Sequence, residues 1–160
     1  MSEYLDHFQI VLTSDSSLNV FTRNSLSEFT VILPEPLQFG HADQWGVAVK
    51  QIILAPVNKP TTSNRIANTT TGEVESPIFV YLDLIENQVV GNYMSKVAAV
   101  LPPAYMKSFH QFETLSFIPL GKREIRSITV GIKDKFYNNY PFEPSHLSTV
   151  CVLLFKRFSK

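Results

Sequence analysis

Short runs of alternating apolar and polar residues, separated by turn-forming residues, recur along the whole chain. Trp45, Val47 and Val49 fall on one face of an extended segment whose other face carries Gly46 and Lys50. A period of two is typical of a half-buried strand. The same pattern, or a short apolar run, predicts strands over residues 7–12, 29–33, 45–54, 78–84, 89–90, 114–118, 125–132 and 147–155.

Prolines punctuate these runs. We expect Pro34 and Pro36 to end the second strand, and Pro56 and Pro60 to end the third, because proline cannot donate to a sheet ladder. Residues 95–100 fit either a strand or a helical turn. The chain contains no long amphipathic helical pattern. About eight strands with regular turns indicate an all-β sandwich, jelly roll or barrel.

Residues 57–76 form the one long irregular stretch, and they are rich in Thr and Asn. A loop of this length inside a compact domain is usually functional or disordered. The chain of 160 residues has the size of a single domain. We therefore predict one domain over residues 1–160, with a loop at 57–76 that is mobile in the isolated subunit and orders on assembly.

The composition of the chain argues against two classes of function. The chain is 44% hydrophobic and 12% aromatic, with a net charge of zero, and this neutrality argues against a dedicated nucleic-acid binder. It holds 6 glycines and 10 prolines, against typical usage of about 7% and 5%. A chain poor in glycine does not resemble a nucleotide-binding protein that cradles phosphates.

Charge is divided unevenly along the chain. Residues 1–120 hold six basic and eleven acidic residues, and residues 121–160 hold eight basic and three acidic residues, so the two parts carry −5 and +5. The basic set is Lys122, Arg123, Arg126, Lys133, Lys135, Lys156, Arg157 and Lys160. One interpretation is a solvated face; the other is a pair of opposite surfaces that meet between subunits and steer their association.

Residues that commonly carry chemistry are scattered. The four histidines, at positions 7, 41, 110 and 146, lack metal-ligand spacing, and the single cysteine, Cys151, lies in an apolar run typical of a buried, inert thiol. The sequence has no G-x-S-x-G motif and no phosphate-loop or dinucleotide fingerprint. We therefore expect no catalytic, metal or cofactor site, and not an enzyme.

Two carboxylates and one aromatic cluster leave alternatives open. Asp83 and Glu86 are a candidate pair for general acid–base catalysis. The favoured interpretation of Asp83 is a structural carboxylate that is held by a neighbouring turn. Residues 136–140 (sequence FYNNY) follow Lys133 and Lys135. Aromatic and basic residues in one loop fit base stacking or a protein contact loop equally well.

The N-terminal residues lack a basic and an apolar signal region, and no apolar run approaches the roughly 20 residues of a membrane span. We expect a protein that is made and assembled inside the cell, with no secretory signal and no membrane span.

Three groups of segments, taken in order, resemble a known family. They are residues 8–14, 21–29 and 37–49; then 80–85, 89–91 and 101–102; then 112–120, 125–130 and 152–157. The family is the single jelly-roll minor capsid, or penton, protein of Polinton/Maverick elements, adintoviruses, virophages and related double-stranded DNA viruses. The resemblance covers nearly the whole chain.

The resemblance implies an eight-stranded jelly-roll sandwich of two antiparallel four-stranded sheets. It also implies a homopentamer at the icosahedral vertices of the virion, in contact with major capsid protein trimers, with structural roles for Trp45, Asp83 and Gly91. The basic and aromatic residues noted above then become candidate subunit contacts: Arg126, Lys133, Lys135, Tyr137 and Tyr140.

The chain departs from the family pattern at two points. Residues 140–144 (YPFEP) replace the usual glycine-bearing turn before the last strand, and the chain is too short for the receptor-binding insertion that many pentons carry. The missing insertion argues against direct attachment to the host, and the sequence names no host receptor. The alternative function is a free jelly-roll binding module for carbohydrate or a cell-surface receptor.

Overall fold

A computed structural model of the chain describes residues 6–57, 76–143 and 147–158, and the greater part of the predicted 57–76 loop lies outside these ranges. Eleven strands and one short 3₁₀ helix, Ala42–Gln44, make up the described secondary structure. The strands are β1 His7–Thr13, β2 Glu28–Gln38, β3 Trp45–Ile53, β4 Ile78–Leu82, β5 Gln88–Val90, β6 Tyr93–Ser95, β7 Val97–Leu101, β8 Phe109–Gln111, β9 Ile118–Pro119, β10 Glu124–Lys133 and β11 Val150–Arg157.

The strands form two antiparallel sheets and a separate hairpin. Sheet A has the order β1-β11-β3, and the two short strands β8 and β9 share the other side of β3. Sheet B has the order β2-β10-β4-β7, while β5 and β6 pair only with each other. The chain crosses between the sheets at almost every connection, as a jelly roll requires. The predicted all-β jelly roll with two four-stranded sheets is confirmed. In sheet A, the position of the fourth strand is shared by β8 and β9.

The core lies between the sheets because alternate residues of each strand point inward. Ile128, Val130 and Ile132 of β10 are fully buried, as are Leu153 and Phe155 of β11. Each such side chain contributes about 1.5–3 kcal/mol through the apolar surface that it removes from water. Four aromatic rings close one end of the core: those of Phe8, Phe39, Trp45 and Phe155. The rings of Phe8 and Phe155 are stacked in parallel, with their centres 4.8 Å apart.

The prediction that Pro34 and Pro36 end the second strand is wrong, because β2 continues to Gln38. Ile32 pairs with Ser127 and Leu37 with Ile125, so the two prolines lie in an irregular segment opposite Arg126 alone. β2 is also an edge strand of sheet B. Proline is tolerated at edges and bulges, since no ladder hydrogen bond is required of its nitrogen there.

The structure resolves one open alternative and differs from the prediction in a second segment. Residues 95–100 contain the start of a strand, β7, rather than a helical turn. The strand predicted over 114–118 is reduced to β9, which begins at Ile118, and β8 was not predicted. β8 has only three residues, and its middle residue is His110, so it offers no alternating apolar pattern.

Candidate assembly surfaces

The basic C-terminal part of the chain is divided between the two sheets, because β10 is an inner strand of sheet B and β11 is an inner strand of sheet A. Two ion pairs join it to the acidic first part: Lys122 Nζ lies 3.0 Å from Asp83 Oδ2, and Lys133 Nζ lies 3.0 Å from Glu28 Oε2. The charge division along the sequence is thus partly neutralised within the subunit.

Lys133 lies inside the subunit, with 6% of its surface exposed. Its ammonium group donates to Glu28 and to Asn139 Oδ1, and it lies 5.1 Å from the centre of the Tyr137 ring. A buried ammonium is tolerated when it is paired and hydrogen-bonded in this way. The expectation that Lys133 contacts a neighbouring subunit is therefore corrected: its charge is used within its own chain.

The loop after β10 is built around Asp134, whose side chain is buried. Asp134 Oδ1 accepts hydrogen bonds from the backbone N–H groups of Phe136 and Asn138, at 2.8 and 3.0 Å. This closed turn holds the backbone of Tyr137 at a φ of 67°, in the left-handed region that residues other than glycine rarely adopt. The rings of Phe136 and Tyr137 project to the surface as a result.

Tyr137 is nevertheless fixed on its inner side. Its ring packs edge-on against the ring of Tyr81, with centroids 4.9 Å apart and planes at 89°. Burial raises the pKa of Tyr81, so that side chain remains a neutral phenol beneath the loop. Left-handed backbone at an exposed aromatic residue is a common mark of a functional loop. The candidate contact at Tyr137 is accessible, and it stays a prediction.

Tyr140 is only 2% exposed, so its predicted role as a direct subunit contact is also corrected. Its hydroxyl accepts a hydrogen bond from the N–H of Ala104 and donates one to the carbonyl of Ser76, both at 3.2 Å. Burial raises the pKa of this hydroxyl to about 12. Tyr140 therefore ties three loops of the same subunit together.

Arg126 and Lys135, the remaining candidate contacts, both lie on the surface. Arg126 forms an exposed ion pair with Glu124 at 2.8 Å, and Lys135 places its ammonium 4.9 Å from the centre of the Phe136 ring. Exposed pairs of this kind contribute little to stability, about 0–1 kcal/mol. Both side chains are accessible to a partner, and their contact role stays a prediction.

The three residues assigned structural roles have distinct tasks. Trp45 begins β3 and packs its ring against the aromatic end of the core. Asp83 Oδ1 accepts a hydrogen bond from the N–H of Thr129 at 3.0 Å, while its other oxygen pairs with Lys122. Gly91 has a φ of 61° in the turn between β5 and β6. The bonds of Asp83 are those of a structural carboxylate.

Within the described residues, no group of three or more His, Cys, Asp or Glu side chains is arranged to hold a metal ion. Cys151 is completely buried, and this burial raises the pKa of its thiol to about 12. Among the helices of the described residues, none is long and apolar enough to cross a membrane.

Sequence reasoning missed a set of exposed apolar side chains on the sheets themselves. Val11, Ile53 and Phe109 project from sheet A, and Ile32 and Val100 project from sheet B. A detectable signal was present in β11, whose run from Val150 to Phe155 is apolar at every position instead of alternating.

No protein-family model matches the chain, and no curated protein matches it in sequence. The structure is similar to the crystal structure of the selenomethionine-labelled mavirus penton protein, with a TM-score of 0.54 and 7% sequence identity. The match covers 95% of this chain and 99% of the mavirus chain. The two proteins therefore share a jelly-roll fold over nearly their full lengths.

Proposed function

We propose that this chain is a structural capsid protein, the penton subunit of a double-stranded DNA virus or virus-like element. The observation that supports the proposal best is the shared fold with the mavirus penton protein, which extends over 95% of this chain. The order of segments along the sequence resembles that of the penton family.

The architecture suits that role physically. A jelly roll leaves loops at both ends of a tapered sandwich, where neighbouring capsid proteins make contact. Five identical subunits close a ring only through a heterologous interface, in which one surface of each copy meets a different surface of the next. The exposed apolar residues on both sheets, with Val11 on one and Ile32 on the other, supply two such surfaces.

Five copies form the capsomer that fills each icosahedral vertex, and its outer rim contacts trimers of the major capsid protein. The chain is made in the host cell and ends in the virion. It needs no cofactor and acts as a building block rather than as a catalyst.

The mass of the purified chain in solution tests the self-association step. The subunit has a mass of 18.1 kDa, and sedimentation or native mass spectrometry at high concentration is expected to show a species of five times that mass. A protein that stays monomeric up to about 100 μM subunit, well above the micromolar dissociation constants of weak complexes, would count against the vertex role.

A second candidate function is a binding module for carbohydrate or a cell-surface receptor. It is favoured by a groove over sheet B in which Tyr81, Met94 and Tyr137 lie among polar residues that include Asn87 and Ser95. Aromatic side chains beside polar groups are typical of ligand sites. Binding of the monomer to a glycan array, lost in Tyr137→Ser, would support this function over the first.

A further inference from the structure

β1 is an edge strand of sheet A, and its outer edge is open. Its register with β11 is regular, and the carbonyl of Asp6, just before the strand, accepts a hydrogen bond from the N–H of Arg157. In an antiparallel pair such bonded positions alternate with positions whose N–H and C=O point away from the partner. His7, Gln9 and Val11 therefore direct their backbone groups away from β11. No described residue bonds to these groups.

The other edges are closed or interrupted. On the edge strand β2 of sheet B, the side chain of Asn24 bonds to the N–H and the C=O of Thr30, at 2.9 and 2.8 Å. Ser17 Oγ accepts from the N–H of Ile32 at 3.1 Å. β8 and β9 have three and two residues, and the pairing of β7 is broken by a register shift. Covers, short strands and bulges are the usual protection of sheet edges, and β1 has none over its three open residues.

A pocket beside the start of β1 offers a place for a side chain. It has a volume of about 310 Å³, and its walls include the half-buried side chains of Phe8, Leu37 and Trp45. Phe8 points inward from β1, so an inward side chain of a strand paired with this edge would lie beside the same pocket. The volume is at the lower limit of small-molecule sites, about 300 Å³, and thus suits one large apolar side chain.

A cation at this pocket indicates what accompanies that side chain. Arg157 lies on the same face of β11 as the buried Phe155, two residues before it, and its exposed guanidinium lines the pocket. Its polar side-chain neighbour is Gln44, whose Oε1 lies 3.5 Å from Arg157 Nη2. Among the described residues no carboxylate forms an ion pair with Arg157, and the lining contains no aspartate or glutamate. A guanidinium placed in this way is a ready site for a carboxylate.

We propose that β1 binds an extended segment of a partner protein as an additional strand of sheet A. One large apolar side chain of the segment enters the pocket beside Phe8, and a carboxylate two residues away bonds to Arg157. The spacing follows from the ladder, because Arg157 is bonded to Asp6, two residues from Phe8, and residues two apart share a face. Main-chain hydrogen bonds supply affinity in such a complex, and the pocket supplies specificity. The site does not depend on the penton role, because it needs only one subunit.

A synthetic peptide is the probe. It has seven residues with blocked ends: a central phenylalanine, an aspartate two residues to either side, and threonine elsewhere, so that either strand direction gives the same contacts. In a titration followed by NMR of the ¹⁵N-labelled chain, we expect saturable shifts and slower solvent exchange at the amides of His7, Gln9 and Val11, with a dissociation constant below about 1 mM. No saturable binding up to that concentration, or shifts confined to another surface, would overturn the inference.

A proline at the open edge tests the strand pairing against a matched control. Gln9→Pro removes an outward N–H, which an edge strand tolerates, and Gln9→Thr keeps that N–H. Both variants lose the side-chain bond from Lys50 Nζ to Gln9 Oε1. We expect Gln9→Pro to weaken peptide binding about tenfold and Gln9→Thr to leave it within about twofold. Equal binding by the two variants would show that the edge is not used. Far-ultraviolet circular dichroism and melting temperature check that each is folded.

The charge contact is tested without any change in β1. We expect Arg157→Gln to weaken binding of the aspartate peptide about three- to tenfold, and to leave unchanged the weaker binding of a peptide with asparagine in place of both aspartates. Replacement of the central phenylalanine by alanine is expected to weaken binding to the original chain about tenfold. A chain that does not distinguish the three peptides would overturn the proposed chemistry of the partner.

The same amides show whether a second copy uses this edge instead. If His7, Gln9 and Val11 become protected as the concentration of the chain alone is raised, another copy covers β1 and the proposed partner is wrong. We expect their exchange in the absence of peptide to be independent of the concentration of the chain.

Discussion

At the scale of single residues, the network around Lys133 holds the exposed aromatic loop in place. Lys133 joins Glu28 on β2 to Asn139 beyond the loop, and it lies against the Tyr137 ring. Gly131 leaves room for this arrangement, since a Cβ there would lie 3.2 Å from Lys133 Cε. A lysine is almost never fully buried unless it is paired, so sequence alone placed Lys133 on the surface.

Replacing Lys133 by glutamate is expected to destabilise the fold rather than to act at an interface. Two carboxylates would then share a partly buried site, and we expect a loss of about 2–4 kcal/mol in the free energy of unfolding, measured by urea denaturation. Lys135→Glu is the control, because Lys135 is exposed and its change is expected to stay below about 1 kcal/mol. Equal effects of the two substitutions would contradict the buried role of Lys133.

Gly91 offers a test of backbone conformation without a change in packing. A Cβ at Gly91 meets no atom within 4 Å, but its φ of 61° is unfavourable for alanine by about 1–2 kcal/mol. Gly91→Ala is therefore expected to lower stability by about that amount in thermal or chemical unfolding. Gly40 has equally open surroundings and no positive φ, so Gly40→Ala is expected to cause no loss. A loss confined to Gly40→Ala would refute the assignment.

At the scale of elements, the local sequence pattern predicts most strands. It fails to predict where a strand ends when that end depends on pairing with a distant strand. Residues 45–54 and 125–132 alternate or stay apolar, and they become β3 and β10 with each end within one residue of the prediction. β2 runs past its prolines because of its place at an edge and the irregularity opposite Arg126. Neither fact can be read from the segment itself, since both depend on a partner about 90 residues away.

A buried histidine on β8, His110, is expected to make the free energy of unfolding depend on pH. His110 is buried on this strand, its Nε2 lies 2.9 Å from the carbonyl oxygen of Lys107, and burial lowers its pKa. The unfolded chain, with a histidine pKa of about 6.5, then binds the proton more readily than the folded chain. Stability from this group is present above pH 6.5 and declines as the pH falls below it, toward the lowered pKa of the folded state.

We expect the urea midpoint of the chain to fall between pH 7.5 and pH 5.5, and His110→Gln to reduce that fall. His41 is exposed and serves as the control, because His41→Gln is expected to keep the pH dependence of the original chain. An undiminished fall in His110→Gln would show that other groups are responsible.

At the scale of the whole molecule, the sequence supports the fold class better than it supports the site. The order of turn-separated strands is enough to predict a jelly roll, because two packed sheets are one of few ways to bury so many alternating faces. The candidate subunit contacts were harder to predict, because a contact residue must face outward and the sequence alone does not show which residues do so. Tyr140 and Lys133 turned inward through partners that are remote along the chain, such as Ser76 and Glu28. The exposed apolar side chains of Val11, Ile53 and Phe109 come to one face of sheet A only through the pairing of distant strands.

The central claim is that five copies of this chain occupy each vertex of a capsid, and electron cryo-microscopy of assembled particles tests it most directly. Particles would be prepared from cells that make the chain together with the major capsid protein of the same source. We predict density for five jelly rolls around every fivefold axis. Particles that lack the chain, or that carry it away from the fivefold axes, would contradict the account.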